Sequence, residues 1–158
     1  MTARSWPAKV LTVSDGVAEG TREDRSGAAL VDMLTGSGFE VVDQRVTPDG
    51  VEAVAGALAE LTAGFQGLVV TTGGTGFGPR DLTPEGTRAV LEREAPGLAE
   101  AMRLVSPPGR LSRAVAGTVG EALVLNTPGS STGAVECLGA VLDVVPHALD
   151  LLTGGRPH

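Results

Sequence analysis

The sequence predicts an α/β protein of three layers, with helices on both faces of a mostly parallel central sheet. Short apolar runs rich in valine alternate with longer amphipathic segments along the chain. The runs are apolar at consecutive positions, which is typical of strands buried on both faces. A length of 158 residues suits one domain. We therefore expect residues 1–158 to fold as a single unit.

Four strands are expected, and each ends in a polar or glycine-rich loop. The runs AKVLTV, FEVVDQRV, GLVVTT and EALVLN occupy residues 8–13, 39–46, 67–72 and 121–126. The segment SPPGRLSRAVAGTVG, which precedes the fourth run, has weak local preference and is expected to be a loop.

Two helices are expected in the first half of the chain. One has an apolar face at Ala28, Val31 and Leu34 and ends near Gly36. The other follows Asp49, which lies three residues before a glutamate as in a capping box.

Three more helices are expected in the second half. One begins with Thr83 as its N-cap and Pro84 at its first position, and it ends near residues 95–96. Another covers residues 97–105. The last covers residues 135–152, and the proline inside it predicts a kink.

Composition excludes several classes of function. The net charge of −7 argues against a nucleic-acid surface, which normally needs a basic patch. No apolar run approaches the ~20 residues of a membrane helix, and the first residues lack the apolar core of a secretion signal. We therefore expect a cytoplasmic protein that binds neither membranes nor nucleic acid.

Cys137 is the only cysteine, so it cannot form a disulfide within the chain, and we expect it to pack as a small apolar residue.

The candidate site lies where the loops after the four strands meet, at the carboxyl edge of the sheet. After the third strand, the glycines of GGTG (residues 73–76) allow backbone N–H groups to approach an anion. The turn at residues 129–131 precedes the last helix, whose N-terminus is a second anion site. Two such sites suit a ligand with more than one phosphate. Packing explains a glycine loop equally well, and this loop matches neither the Walker pattern nor a full G-x-G-x-x-G.

Two acids, Asp49 and Asp81, are the candidate catalytic groups. Helix capping also explains Asp49, and a surface ion pair with Arg80 also explains Asp81. Beside bound phosphates, two carboxylates would hold Mg²⁺. Glycoside hydrolysis is disfavoured because four aromatic residues offer few platforms on which a sugar could stack. A Ser/His/Asp triad is disfavoured because no serine lies in a nucleophile-elbow pattern.

The segments VLTVSDG, EDRSGAAL, VTPDG and TTGGTGFGPRDLTPE, in this order, resemble the MogA/MoaB family of molybdenum-cofactor biosynthesis. The resemblance continues through LSRAVAGTVGEALVLNTPGS and the last helix, so it covers nearly the whole chain. It implies the molybdopterin-binding fold and a homotrimer, with a dimer of trimers as the alternative. It also implies transfer of AMP from ATP to molybdopterin with Mg²⁺, and hand-over of the product to a molybdate-insertion protein.

The resemblance also implies roles for particular residues. Asp49 and Asp81 match the two acids that serve adenylyl transfer and hold the metal. The other matching positions would bind substrate or nucleotide; they are Ser14, Asp15, Gly73, Gly74, Thr75, Gly76, Arg80, Ser112, Asn126, Pro128, Gly129 and Ser130. Among these, Ser112 and Asn126 match positions associated with the pterin.

The chain departs from the family pattern at two places. Gly16 stands where many relatives carry arginine, and PGSST replaces a more frequent proline-ended turn. A non-catalytic pterin-binding or scaffold protein of the same fold is therefore the alternative function. Molybdate insertion is disfavoured because it needs additional domains, and a related nucleotide-processing domain is disfavoured by the continuation RDLTPE.

Overall fold

The computed structural model describes residues 4–155 and contains one six-stranded sheet. The strands are β1 (Pro7–Val13), β2 (Glu40–Thr47), β3 (Leu68–Thr72), β4 (Arg93–Glu94), β5 (Ala116–Val119) and β6 (Ala122–Thr127). Their order across the sheet is β2-β1-β3-β6-β5-β4. The first four in that order are parallel, whereas β5 runs antiparallel to both of its neighbours. The mostly parallel sheet expected from the sequence is confirmed.

Seven α-helices connect and cover the strands within this part of the chain. They are α1 (Asp15–Ala18), α2 (Arg25–Gly36), α3 (Val51–Thr62), α4 (Thr83–Arg88), α5 (Pro96–Arg103), α6 (Ser131–Val141) and α7 (Val145–Leu152). A short 3-10 helix also occurs at Pro107–Leu111.

Alternate residues of the central strands enter two separate cores, as the pleat of a strand requires. On one face, Val10 and Val70 pack with apolar residues of α2, α5, α6 and α7. On the other face, Leu11 and Val69 pack with α3. Helices therefore lie on both faces of the sheet, and the expected three-layer α/β fold is confirmed.

The region between α4 and β6 differs from the sequence expectation. The helix that begins at Thr83 ends at Arg88 rather than near residue 95, and the chain then forms β4. Residues 116–119 form β5, although a loop was expected there. This short strand pairs with β6 over four residues, so its partner, and not its own weak propensity, fixes its conformation.

Three predicted helix features are wrong. Thr83 is not the N-cap of α4 but its first residue, and the N-cap is Leu82. Asp49 does not cap α3: the N-cap is Gly50, at φ +120°, and no side chain caps this helix. The last helix is not kinked but interrupted, because α6 ends at Val141 and α7 begins at Val145. Pro146 lies in the first turn of α7, where its missing N–H costs no helical hydrogen bond.

Candidate functional site

A cleft of about 1010 Å³ opens at the carboxyl edge of the sheet. The loops that follow β1, β2, β3 and β6 line it, as the sequence predicts, with Asp49 contributed by the loop after β2. The chain passes from β1 to β2 on one side and then to β3 on the other side, so the strand order reverses between β1 and β3. In open α/β sheets, ligands bind at such a reversal.

The glycine loop turns several backbone N–H groups away from internal partners. Gly73 and Gly74 have φ values of +102° and +69°, a region that favours glycine. Gly73 N–H donates to Thr127 O (3.1 Å), whereas the N–H groups of Gly74, Thr75 and Gly76 donate to no group in residues 4–155. Three adjacent donors without partners can bind an anion.

Arg113 holds this loop from behind. Its Nε donates to Gly76 O (2.8 Å), its Nη2 to Asp81 O (2.5 Å), and its own backbone N–H to Thr75 O (2.9 Å). Its Nη1 donates to Glu85 Oε2 (2.6 Å), which lowers the pKa of that carboxyl. Because these carbonyls point toward Arg113, the loop keeps its N–H groups for the cleft. The sequence reasoning did not identify Arg113, since a single arginine in LSRAV carries no local signal.

Asp49 is held by a reciprocal pair of hydrogen bonds with Asp15. Asp15 N–H donates to Asp49 Oδ2 (2.9 Å), and Asp49 N–H donates to Asp15 Oδ1 (3.1 Å). The guanidinium of Arg80 donates hydrogen bonds to both carboxylate oxygens of Asp15, at 3.0 Å each, and also to Asp49 O (3.1 Å). Asp15 and Arg80, both predicted to contact ligand, form an ion pair with each other, and neither is among the residues that line the cleft.

The charges of this group perturb the two acids in opposite directions. The hydrogen bond from Arg80 lowers the pKa of Asp15 below its usual value. Burial raises the pKa of Asp49, and repulsion by Asp15 and Asp81 adds to the effect. Asp49 would therefore gain from a cation placed beside it.

Asp81 lies on the same cleft and is fixed by its own loop. Its Oδ2 accepts a hydrogen bond from Gly78 N–H (2.9 Å). In Asp49 and Asp81 alike, Oδ1 accepts no hydrogen bond from residues 4–155, so each acid keeps one oxygen available. The structure thus brings together the two predicted catalytic acids and the glycine loop.

The turn at residues 128–131 forms another wall. Ser130 is the N-cap of α6, and its Oγ accepts from Gly133 N–H (3.1 Å). Thr72 Oγ1 donates to Pro128 O (2.8 Å), which fixes the turn to the end of β3. The N–H groups of residues 131 and 132 have no acceptor in the described chain, so this helix end is open to a ligand.

The two predicted pterin positions differ in location. Ser112 lines the cleft, and its Oγ accepts a hydrogen bond from Ala114 N–H (3.2 Å). Asn126 is fully buried below the cleft. Its Oδ1 accepts from Val115 N–H (3.1 Å), and its Nδ2 donates to the hydroxyls of Thr71 and Thr87 (both 3.0 Å). Both the oxygen and the nitrogen of this side-chain amide are therefore hydrogen-bonded to other residues of the protein.

Ser14 and a segment that the sequence reasoning left out complete the cleft. Ser14 caps the short helix α1 and accepts a hydrogen bond from Val17 N–H (3.2 Å). Residues 22–26, which comprise the end of the loop before α2 and the first two residues of that helix, also line the cleft. The charged run REDR at residues 22–25 could have indicated this segment, but a run of charged residues is equally typical of a solvent-exposed surface.

The donor set suits Mg²⁺. No group of three or more His, Cys, Asp or Glu side chains that could hold a metal occurs in residues 4–155. Mg²⁺ usually binds through one or two carboxylates and completes its shell with water and substrate phosphates. Asp49 and Asp81, each with one free oxygen, fit that requirement.

Fold and cleft together define an open α/β protein with a candidate ligand site built from loops at the switch point of its sheet. A family model described as "Probable molybdopterin binding domain" matches residues 9–147. The chain is 36% identical over 152 residues to the molybdopterin adenylyltransferase of Helicobacter pylori J99, covering 92% of this chain and 86% of that protein. It is 35% identical to gephyrin of Dictyostelium discoideum, of which it spans only 22%.

A crystal structure of the molybdopterin biosynthesis enzyme MoaB from Thermus thermophilus superimposes with a TM-score of 0.89 at 46% identity. The match covers 96% of this chain and 98% of that one. The chain therefore belongs to the MogA/MoaB family of molybdenum-cofactor biosynthesis proteins. Among residues 4–155, no helix is long and apolar enough to cross a bilayer.

Proposed function

We propose that this protein transfers AMP from ATP to the terminal phosphate of molybdopterin, giving adenylyl-molybdopterin and diphosphate. One observation carries the proposal: Asp49 and Asp81 line the same cleft as the unpaired N–H groups of residues 74–76. The relative from Helicobacter pylori, named molybdopterin adenylyltransferase, supports it.

The chemistry needs alignment and charge neutralisation more than proton transfer. An oxygen of the molybdopterin phosphate attacks the α-phosphorus of ATP and forms the new P–O bond. The bond from that phosphorus to the β-phosphate oxygen breaks, and diphosphate leaves with the electron pair. Because the attacking phosphate is anionic at neutral pH, no general base is required. The obstacle is repulsion between two anions, so catalysis rests on positioning and electrostatics.

The chain supplies donors on two sides of the cleft. In the proposal, the N–H groups of residues 74–76 bind phosphate oxygens of the nucleotide, and the open end of α6 binds a second anionic group. Ser112 and the turn at residues 128–130 contact the pterin, and Ser14 contacts the nucleotide. Asn126 supports this wall from below rather than touching the ligand.

Asp49 and Asp81 would hold Mg²⁺, since each has a carboxylate oxygen that accepts no hydrogen bond from residues 4–155. When bound, the ion would neutralise phosphate charge and help align the reacting groups. In the proposal, Asp15 and Arg80 position Asp49: the N–H of Asp15 holds one carboxylate oxygen of Asp49, and Arg80 holds the carboxylate of Asp15.

The first test mixes purified protein with molybdopterin, Mg²⁺ and ATP, and measures adenylyl-molybdopterin and diphosphate. We expect both products, and a loss of rate on the order of 100-fold or more in Asp81→Asn. Asp32→Asn is the matched control because it removes the same charge from an exposed position on α2. Tight pterin binding without product would support the non-catalytic binding protein instead, and absence of both binding and product would refute the proposal.

We also propose a cytoplasmic homotrimer, with a hexamer as the alternative, that passes its product to a molybdate-insertion protein. Leu104 and Leu111, with 84% and 62% of their surfaces exposed in the single chain, support burial against a second copy. Light scattering during size-exclusion chromatography would measure the mass, and a monomer at micromolar concentration would contradict the trimer.

A further inference from the structure

The cleft contains an arginine without an acidic partner. Its described lining includes four acids, Glu23, Asp24, Asp49 and Asp81, and only two cations, Arg22 and Arg25. Four carboxylates repel phosphate, so an arginine that is free to bind it would add to the attraction from the backbone donors and the metal.

The two arginines differ in this respect. Arg25 Nε lies 3.3 Å from Glu23 Oε2, so part of its charge is already compensated. Arg22 makes no ion pair and no side-chain hydrogen bond with any residue in the range 4–155.

The position of Arg22 is nevertheless fixed, because its loop folds back over Gly16. The N–H groups of Thr21 and Arg22 both donate to Gly16 O, at 2.9 and 3.2 Å. The side-chain stem of Arg22 then lies over Gly16: a Cβ added there would meet Arg22 Cδ at 2.6 Å and Cγ at 2.8 Å. The missing side chain at position 16 is therefore what makes room for the stem.

We infer that Arg22 binds a phosphate oxygen of the ligand in the cleft, and that Gly16 is required to place it. The inference rests on the proposed function and adds to it a residue that determines affinity for phosphate. A guanidinium suits this role because it donates two parallel hydrogen bonds to a phosphate. The phosphate belongs either to ATP or to molybdopterin, and the experiment distinguishes the two.

The test compares the dissociation constants of Mg-ATP and of molybdopterin, each measured separately by calorimetry, for wild type and Arg22→Gln. We expect about a 10-fold weaker affinity for one ligand and no change for the other, since a charge-assisted hydrogen bond of this kind is worth about that factor. The weakened ligand identifies the source of the phosphate. Arg22→Lys, which keeps the charge but not the fork, should lie between the two.

Two further variants separate this role from a general loss of positive charge or of structure. Arg93→Gln removes the same charge from an exposed position on β4 that does not line the cleft, and it should change neither constant. Gly16→Ala should weaken the same ligand as Arg22→Gln, because its methyl group displaces the stem. The double variant should be no weaker than Arg22→Gln alone, since both changes remove one contact.

The outcomes separate this inference from the proposed function. A wild type that binds both ligands and forms product, with Arg22→Gln unchanged within twofold for each ligand, would overturn the role of Arg22 alone. A wild type that binds neither ligand would overturn the proposed function and this inference together. Full additivity of Gly16→Ala and Arg22→Gln would overturn the placement by Gly16.

Discussion

Replacing Asn126 by alanine should destabilise the protein rather than remove a ligand contact. The side chain is fully buried and makes three hydrogen bonds, to Val115 N–H and to the hydroxyls of Thr71 and Thr87. These bonds join β6 to β3, to α4 and to the residue before β5. The resemblance to the family implied a pterin contact, whereas this geometry predicts a structural role.

The magnitude follows from what alanine leaves behind. The Val115 N–H would lose its acceptor in a buried place, at a cost of about 1–3 kcal/mol. The space of the deleted amide adds a cavity cost of about 1 kcal/mol, and the two hydroxyls can rotate toward other acceptors. The free energy of unfolding should fall by about 2–4 kcal/mol. For a chain of 158 residues, that lowers Tm by about 6–12 °C.

The assay is thermal unfolding by circular dichroism at equal chain concentration, because association shifts Tm. Gln66→Ala is the control: it removes an exposed amide that bonds only Glu121 at the surface, and should change stability by less than about 0.5 kcal/mol. Calorimetric titration with molybdopterin below the Tm should give a dissociation constant within threefold of wild type. A Tm equal to wild type together with weakened pterin binding would refute the reasoning.

Three other outcomes are expected. Gly73→Ala should cost about 3 kcal/mol or more in urea unfolding, since a Cβ at φ +102° would lie 2.2 Å from Val13 O; a midpoint equal to wild type would contradict this. Arg113 lowers the pKa of Glu85, so the stability from this pair is present above the ordinary pKa of 4.5 and is lost as pH falls through the lower pKa of the folded state. The difference in Tm between wild type and Glu85→Gln should therefore disappear in acid. A difference that persists at about pH 2 would be evidence against the pair. Burial raises the pKa of the Cys137 thiol, so it should react with a disulfide reagent at about pH 8 more slowly than free cysteine, and equal rates would show that it is accessible.

Much of the fold could be predicted because its signals are local. The valine-rich runs at β1, β3 and β6 are apolar at consecutive positions since helices cover both faces of the sheet, and the pattern alone indicates this. Parallel strands place their carboxyl ends on one edge, so the glycine loop and the turn at residues 128–131 were expected to meet there. Asp81 was identified because it lies within the same loop.

Other features could not be predicted because they depend on partners distant in sequence. Asp49 has the spacing of a helix cap, yet its carboxylate is held by Asp15, 34 residues away. The guanidinium of Arg80 reaches Asp15 across 65 residues and forms an ion pair with it, a pairing that neither local sequence indicates. Nothing in the neighbourhood of either residue specifies these contacts.

The sequence by itself therefore determined the α/β class, the edge of the sheet at which the cleft opens, and the two acids and the glycine loop that line it. Only the tertiary structure decided what each polar group does there. It assigned Arg113 to the carbonyl side of the loop, at a separation of 37 residues from Gly76, and left Arg22 without a partner over Gly16. The physical reason is that propensity and periodicity act over a few neighbouring residues, whereas hydrogen bonds and ion pairs form between whatever groups the order of strands brings within about 3 Å.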